Sequence, residues 1–139
     1  MDLRVAMWAD IESILDRISD QHRAEYEKIG FPSEGFNLRL LHFMMAGDTH
    51  CIWFDGKPQC FMSVAPVGDV VTTWVGVTKE CFDKGIGPLR LGRRHMADAV
   101  RRRGKITSYV ASEHPKVAQW MKLLGARQID ATVFEFACP

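Results

Sequence analysis

Apolar and polar positions divide the chain into strand-like and helix-like stretches. Residues 3–7 alternate and predict a short first strand. Ile11, Ile14, Leu15 and Ile18 then recur at helical spacing behind Asp10, a suitable N-cap. That spacing predicts one helix running past Glu25 to a stop near Gly30, with Pro32 beyond. Residues 36–45 predict a second, shorter helix ended by Gly47. Residues 51–54 and 59–64 predict a β-hairpin turning at Asp55-Gly56, with Lys57-Pro58 lengthening the loop beyond two residues. Gly68-Asp69 marks another turn, into a β-branched and aromatic run over 70–77 that suits a buried strand. A helix over 88–103 places Leu89, Met96 and Val100 on one face, where Gly92 permits close packing. A strand over 106–111, a helix stopped by Gly125 and a strand over 132–137 complete the chain. Strand, loop, helix and strand in succession predict a parallel pair with a crossover.

At 139 residues and a net charge of +1, this composition fits one domain over 1–139 with a full core. No apolar run of about 18 residues appears, so no membrane span is expected. Asp10, Glu12 and Asp16 argue against a signal or transit peptide. Cys51, Cys60, Cys81 and Cys138 are scattered without metal-ligand spacing, which favours four buried, reduced thiols over disulfides or zinc. The expectation is a soluble, cytoplasmic protein without a metal.

The chemistry concentrates between Val75 and Leu89. Gly85 and Gly87 free the backbone so that several N–H groups can turn towards one group, and Pro88 suits a first helical position. A helix N-terminus with exposed amides attracts phosphate. The dinucleotide fingerprint fails, because Arg90 stands where a third glycine belongs and six residues separate Val77 from Lys84. The Walker loop fails as well, for want of Gly-Lys-Ser or Gly-Lys-Thr.

The run from Val77 to Gly87 resembles the acyl-CoA pyrophosphate loop of the GNAT N-acyltransferase superfamily. There a strand ending in Val is followed by a short run, Arg or Gln, two residues and Gly-x-Gly. The spacing matches without a gap, with Phe82 in place of the Arg or Gln. Val110 to Gly125 resembles the superfamily's second signature, again without a gap. His114 replaces its Asn, Met121 its Tyr and Ala126 its Phe. A looser likeness runs to GNAT-like internal virion proteins of short-tailed phages, which also carry an aliphatic residue for the tyrosine.

The resemblance implies an α/β (α+β) fold, a mixed central sheet of about six or seven strands flanked by about four helices. It implies acetyl-CoA or a related acyl-CoA as cofactor, with a small-molecule or protein amine as substrate. Val75 and Val77 would hold the pantetheine arm. The backbone of Phe82, Asp83, Lys84, Gly85, Ile86 and Gly87 would take the pyrophosphate, although Pro88 removes a donor. Met121 has no proton for the leaving thiolate and also suits an apolar stripe with Val117, Trp120 and Leu124. His114 is a candidate catalytic group because imidazole titrates near neutral pH, and equally a helix cap before Pro115. Glu80 is a candidate base, with Asp69 behind it, and equally a polar loop residue. Tyr109 alternates with Val110 and is expected on the far side of its strand.

Eight Lys or Arg lie between Lys84 and Lys105, against the single acid Asp98. They suit a solvated face matched to a helix C-terminus, partners for cofactor phosphates, or a nucleic-acid footprint. Near-neutral charge without aromatic interleaving disfavours the last. The leading reading is an acyl-CoA-dependent N-acyltransferase. Its rival is a non-enzymatic GNAT-fold protein, such as a phage or virion component, with weakened or lost cofactor binding. The oligomeric state is not fixed, and a homodimer is compatible.

Overall fold

The computed structural model describes residues 1–110 and 114–138. Its elements are β1 (Asp2–Val5), α1 (Trp8–Asp16), α2 (Asp20–Glu27), α3 (Glu34–Ala46), β2 (Asp48–Phe54), β3 (Lys57–Val67), β4 (Val70–Val77), α4 (Lys79–Lys84), α5 (Ile86–Arg103), β5 (Ile106–Tyr109), α6 (Pro115–Leu123), β6 (Arg127–Gln128) and β7 (Val133–Phe136). The strands form one seven-stranded sheet in the order β1-β2-β3-β4-β5-β7-β6. Every pairing is antiparallel except β4 with β5, so the sheet is mixed, as expected. The expected end of the fifth strand at Ala111, and Ser112 and Glu113 in the second signature, lie outside the described residues. Among the described residues no helix is long and apolar enough to cross a membrane.

Alternation along the central strands divides the core in two. Ile52, Met62 and Val77 face α5 and α6, where they meet Leu89, Met96, Val117 and Leu124. Cys51 and Phe61 point to the other side and pack with Ile11, Ile14, Tyr26, Phe36 and Leu40 from α1, α2 and α3. Gly92 brings α5 close to α6. A Cβ there would sit 2.8 Å from Leu124 Cδ2.

Among the described residues six helices stand where about four were expected. The stretch predicted as one helix breaks at Arg17–Ser19, because these residues pair with the end of β4. Ser19 N–H donates to Val77 O at 2.9 Å and Lys79 N–H to Arg17 O at 3.2 Å. Ser19 then restarts the helix by accepting from His22 N–H. Asp10 is not the N-cap of α1. Met7 is, and Asp10 accepts its N–H at 2.8 Å from inside the first turn. The additional short helix, α4, forms within the expected glycine loop, capped by Thr78.

The β2–β3 hairpin corrects a second expectation. Phe54 pairs with Lys57, so the turn is the two-residue Asp55-Gly56, with φ of 54° and 71°. Pro58 is accommodated by a register shift between Ile52 and Trp53. Gln59 beyond it is fully buried and accepts from Arg17 Nη1 at 3.0 Å and Thr78 Oγ1 at 2.7 Å. Its amide donates to Glu80 at 2.9 Å, so one side chain ties the end of α1 to the starts of β3 and α4. Cys51, Cys60 and Cys81 are buried free thiols, whereas Cys138 is exposed, contrary to expectation.

Gly76 marks the tightest crossing near the cavity described below. A Cβ there would lie 2.4 Å from Phe61 Cε1 and 2.8 Å from the Tyr26 hydroxyl. Gly76→Ala should therefore destabilise the fold by about 1–3 kcal/mol. A lower denaturant midpoint with unchanged slope in chemical unfolding is the expected observation.

Candidate active site between two splayed strands

Among the described residues, strands β4 and β5 are paired only at Thr72 and Thr107. Beyond that point they separate, and a cavity of about 290 Å³ opens between them. Thr73, Trp74 and Val75 line one edge of the gap, and Ser108, Tyr109 and Val110 the other. On the α1–α3 side its wall includes His22, Glu25, Tyr26, Phe43 and Trp74. On the α5–α6 side it includes Phe82, Val117, Trp120 and Met121. The cavity thus traverses the sheet. Its wall is mainly apolar, with Glu25 the single acid among the described lining residues.

The edge of β4 is held by the chain itself. Thr78 N–H bonds Gln59 O at 2.9 Å, so by the two-residue period Val77 and Val75 turn their backbone groups away from β3. Val77 O accepts from Ser19 N–H, and Val75 O accepts from the Tyr26 hydroxyl at 2.6 Å. Tyr26 makes edge contacts with Trp74 and Phe31. Burial first, and then the Glu25 carboxylate, raises its phenol well above the usual range, so it stays protonated. His22 accepts or donates at 3.0 Å with Ser19 Oγ, and burial pushes its pKa down to about 4.

The opposite wall is built by an aromatic stack. Phe82 and Trp120 lie 5.8 Å apart and 22° from parallel, joining α4 to α6, and both are buried. Lys116 Nζ sits 4.7 Å above the Phe82 ring, and Lys84 Nζ 4.6 Å above Phe54. Phe82 N–H donates to Thr78 O inside the first turn of α4, which withdraws that amide from any loop cradle. In the first turn of α5, Ile86 and Gly87 retain helix-end amides, whereas Pro88 has none. Gly85 connects the two helices at φ +78°.

The structure therefore brings Val75 and Phe82 to the cavity. Val77, Asp83, Lys84, Gly85, Ile86 and Gly87 lie outside its lining. His114 is exposed and its Nδ1 accepts from Lys116 N–H at 3.1 Å, so it caps α6. Glu80 is exposed on α4 and bonded to Gln59. Neither lines the cavity. Met121 does, while also packing in the core. Tyr109 faces away from Val110, which packs in the α5–α6 core, and lines the gap from the opposite face of its strand. Glu25, Tyr26, Thr73 and Trp74 went unmarked by motif reasoning, since only the break in the first helix and the strand separation bring them here.

The basic run resolves mostly into local pairs. Asp48 binds Arg102 and Arg103 at 3.2 and 3.0 Å, and Asp98 binds Arg101 and Arg102. The Arg103 and Arg102 guanidiniums hold the Asp48 carboxyl below its ordinary range. Arg93 donates to Leu123 O at the end of α6. Arg90 and Arg94 are exposed.

No family model and no curated protein matches this chain. Solved structures do match its shape. It superposes on smu.2055 from Streptococcus mutans UA159 with a TM-score of 0.73 and 14% identity, covering 99% of each chain. The GNAT domain of S. lividans PAT gives 0.72 at 18% identity, over 98% of this chain and 89% of that one. A GNAT superfamily phosphinothricin acetyltransferase from Sinorhizobium meliloti, in complex with AcCoA, gives 0.63 at 15% identity, covering 96% and 86%. The fold is that of the GNAT superfamily.

Two buried histidines make stability fall in acid. His95 on α5 faces His50 on β2 at a ring separation of 4.7 Å. Burial, then His50 and Arg102, push His95 down to about 4, against the opposing effect of Asp98 and Asp48. His22 and His95 are thus neutral in the fold but protonate near 6.5 when unfolded. Stability is full above about pH 6.5 and declines towards pH 4, by up to about 1.4 kcal/mol per pH unit for each histidine. The lowered Asp48 and Asp98 carboxylates act in a separate window, below about 3.8. Denaturant unfolding across pH 4–7 should show this decline, and the double variant His22→Gln/His95→Gln should flatten it.

Proposed function

We propose that this protein is an acyl-CoA-dependent N-acyltransferase that transfers an acyl group, acetyl in the simplest case, directly to an amine. The observation that carries the reading is the cavity through the sheet where β4 leaves β5. A direct transfer needs a thioester and an amine to approach from different sides and meet in a water-poor space. The acyl donor supplies the activated carbonyl. The chain supplies position. The edges at Val75 and Ser108–Val110 would flank the pantetheine arm, and the wall of Phe82, Val117, Trp120 and Met121 would exclude water from it. Amides of Ile86 and Gly87, with Lys84 just before them, would receive the pyrophosphate.

The amine would enter from the α2–α3 side, against Tyr26, Phe43 and Trp74. Glu25 lies in that wall together with Arg39, so its carboxylate is offset by a guanidinium and the apolar rings dominate the surface offered to the amine. His114 and Glu80 do not line the cavity, so they are poorly placed to contact reactants. Water at the open mouth is the simplest acceptor for the amine proton.

A second reading has its own support. Phe82 closes on Trp120, and Ser19 and Tyr26 occupy the carbonyls of Val77 and Val75. A chain that fills its own strand edge suits a non-enzymatic protein, such as a virion component, that keeps the scaffold for protein contacts.

Calorimetric titration distinguishes the two. Acetyl-CoA is expected to bind with micromolar Kd, and desulfo-CoA similarly, while ATP does not. Gly87→Trp should weaken binding at least tenfold by covering the α5 amides. No binding at millimolar acetyl-CoA would overturn the enzymatic reading and favour the second.

A further inference from the structure

Thr73 is 6% exposed, and its hydroxyl has no hydrogen-bond partner among the described residues. An unpaired buried hydroxyl costs about 1–3 kcal/mol. The adjacent Thr72, similarly buried, avoids that cost by donating to Ala65 O at 3.3 Å. Thr73 lies in the wall of the traversing cavity. The other buried unpartnered atoms, His50 Nδ1 and Trp53 Nε1, belong to residues outside that wall.

Alternation assigns Thr73 to a definite half of the cavity. Val71 and Val75 pack against the α5–α6 core, whereas Trp74 packs against the α1–α3 core. The Thr73 side chain therefore faces the α5–α6 side, as Val71 and Val75 do. Met121, which stands where the GNAT signature has tyrosine, lines the cavity from that same side. Valine would fill the same volume as Thr73 without an unpaired hydroxyl, and valine occupies the next position on the same face in each direction, Val71 and Val75.

We propose that Thr73 is a catalytic residue whose hydroxyl donates a hydrogen bond to the thioester sulfur and to the thiolate that it becomes. This inference rests on the acyl-CoA reading above. In the transfer, the amine nitrogen bonds to the acyl carbon and the carbon–sulfur bond breaks. Sulfur leaves with the electron pair as thiolate, and the surplus proton of the amine passes to water. Thr73 keeps its own proton. Its hydrogen bond lowers the basicity of the leaving sulfur, a service that Met121, with no donor, does not provide.

The test uses free CoA and needs no acceptor amine. Wild type, Thr73→Val and Thr73→Ser are saturated with CoA, and the ultraviolet absorbance of the bound thiolate is followed against pH. A hydrogen bond to a charged group predicts at least a tenfold larger thiolate fraction, below the midpoint, in wild type than in Thr73→Val. Thr73→Ser should restore it. Without ligand, Thr73→Val should unfold at higher denaturant than wild type, because the unpaired hydroxyl is gone. CoA binding with the same thiol titration in wild type and Thr73→Val would overturn the inference and leave the acyl-CoA reading standing. Failure of wild type to bind CoA would overturn both.

Discussion

The cavity depends on the unequal bonding of one strand. β4 is paired to β3 along eight residue pairs and to β5 at one. The long antiparallel ladder fixes the course of β4, so it cannot follow β5 once the two diverge. The edge that this leaves carries backbone groups that need partners. At Val77 the partner is Ser19 N–H, and at Val75 it is the Tyr26 hydroxyl. Ser19 reaches the edge only if the first helix breaks at 17–19. That break sets the course of α2 and with it His22, Glu25 and Tyr26 in the cavity wall. Gly76 completes the arrangement, since no side chain fits between Phe61 and the Tyr26 hydroxyl.

The same logic shapes the α4–α5 side, where the acyl donor is proposed to bind. Replacing an Arg or Gln by Phe82 exchanges a polar group for a ring that stacks on Trp120 and supports Lys116. The first turn of α4 takes the Phe82 amide, and Pro88 offers none. Each amide bonded to an ionised phosphate contributes about 1.5–3 kcal/mol, so losing two donors transfers much of the work to the apolar walls. Exposed lysines restore part of the attraction, but salt screens them. A ligand held here would depend more on its pantetheine and acyl portions than on its phosphates.

Much of the fold was legible because local signals agreed with tertiary packing. The run over 70–77 became β4, Gly92 took the close α5–α6 contact, and Gly125 followed the end of α6 at φ +107°. The misses have particular causes. The first helix breaks for a strand edge some 60 residues away in sequence, which no local spacing reveals. Lys57-Pro58 suggested a longer hairpin loop, yet a register shift between Ile52 and Trp53, directly opposite Pro58, lets Pro58 sit in a strand. For the candidate site, motif spacing found Val75, Phe82 and Met121 in the wall but also marked His114 and Glu80, whose side chains serve local hydrogen bonds. The two-residue period put Tyr109 on the face opposite Val110, where it stands exposed at the gap.

The hydroxyls around the cavity show how a local hydrogen-bond inventory separates structural from chemical roles. Tyr26 carries the more acidic group by type, but Val75 O already holds it and burial keeps it protonated. Using it in chemistry would expose the strand edge it satisfies. Ser108 and Tyr109 stand on the short β5, and Tyr109 is 62% exposed, so water competes for its hydroxyl. Thr73 is both buried and uncommitted. A threonine does not yield a proton at neutral pH, so its contribution is a fixed dipole rather than general acid catalysis. In a wall this apolar, such a dipole needs no reorganisation when negative charge develops beside it.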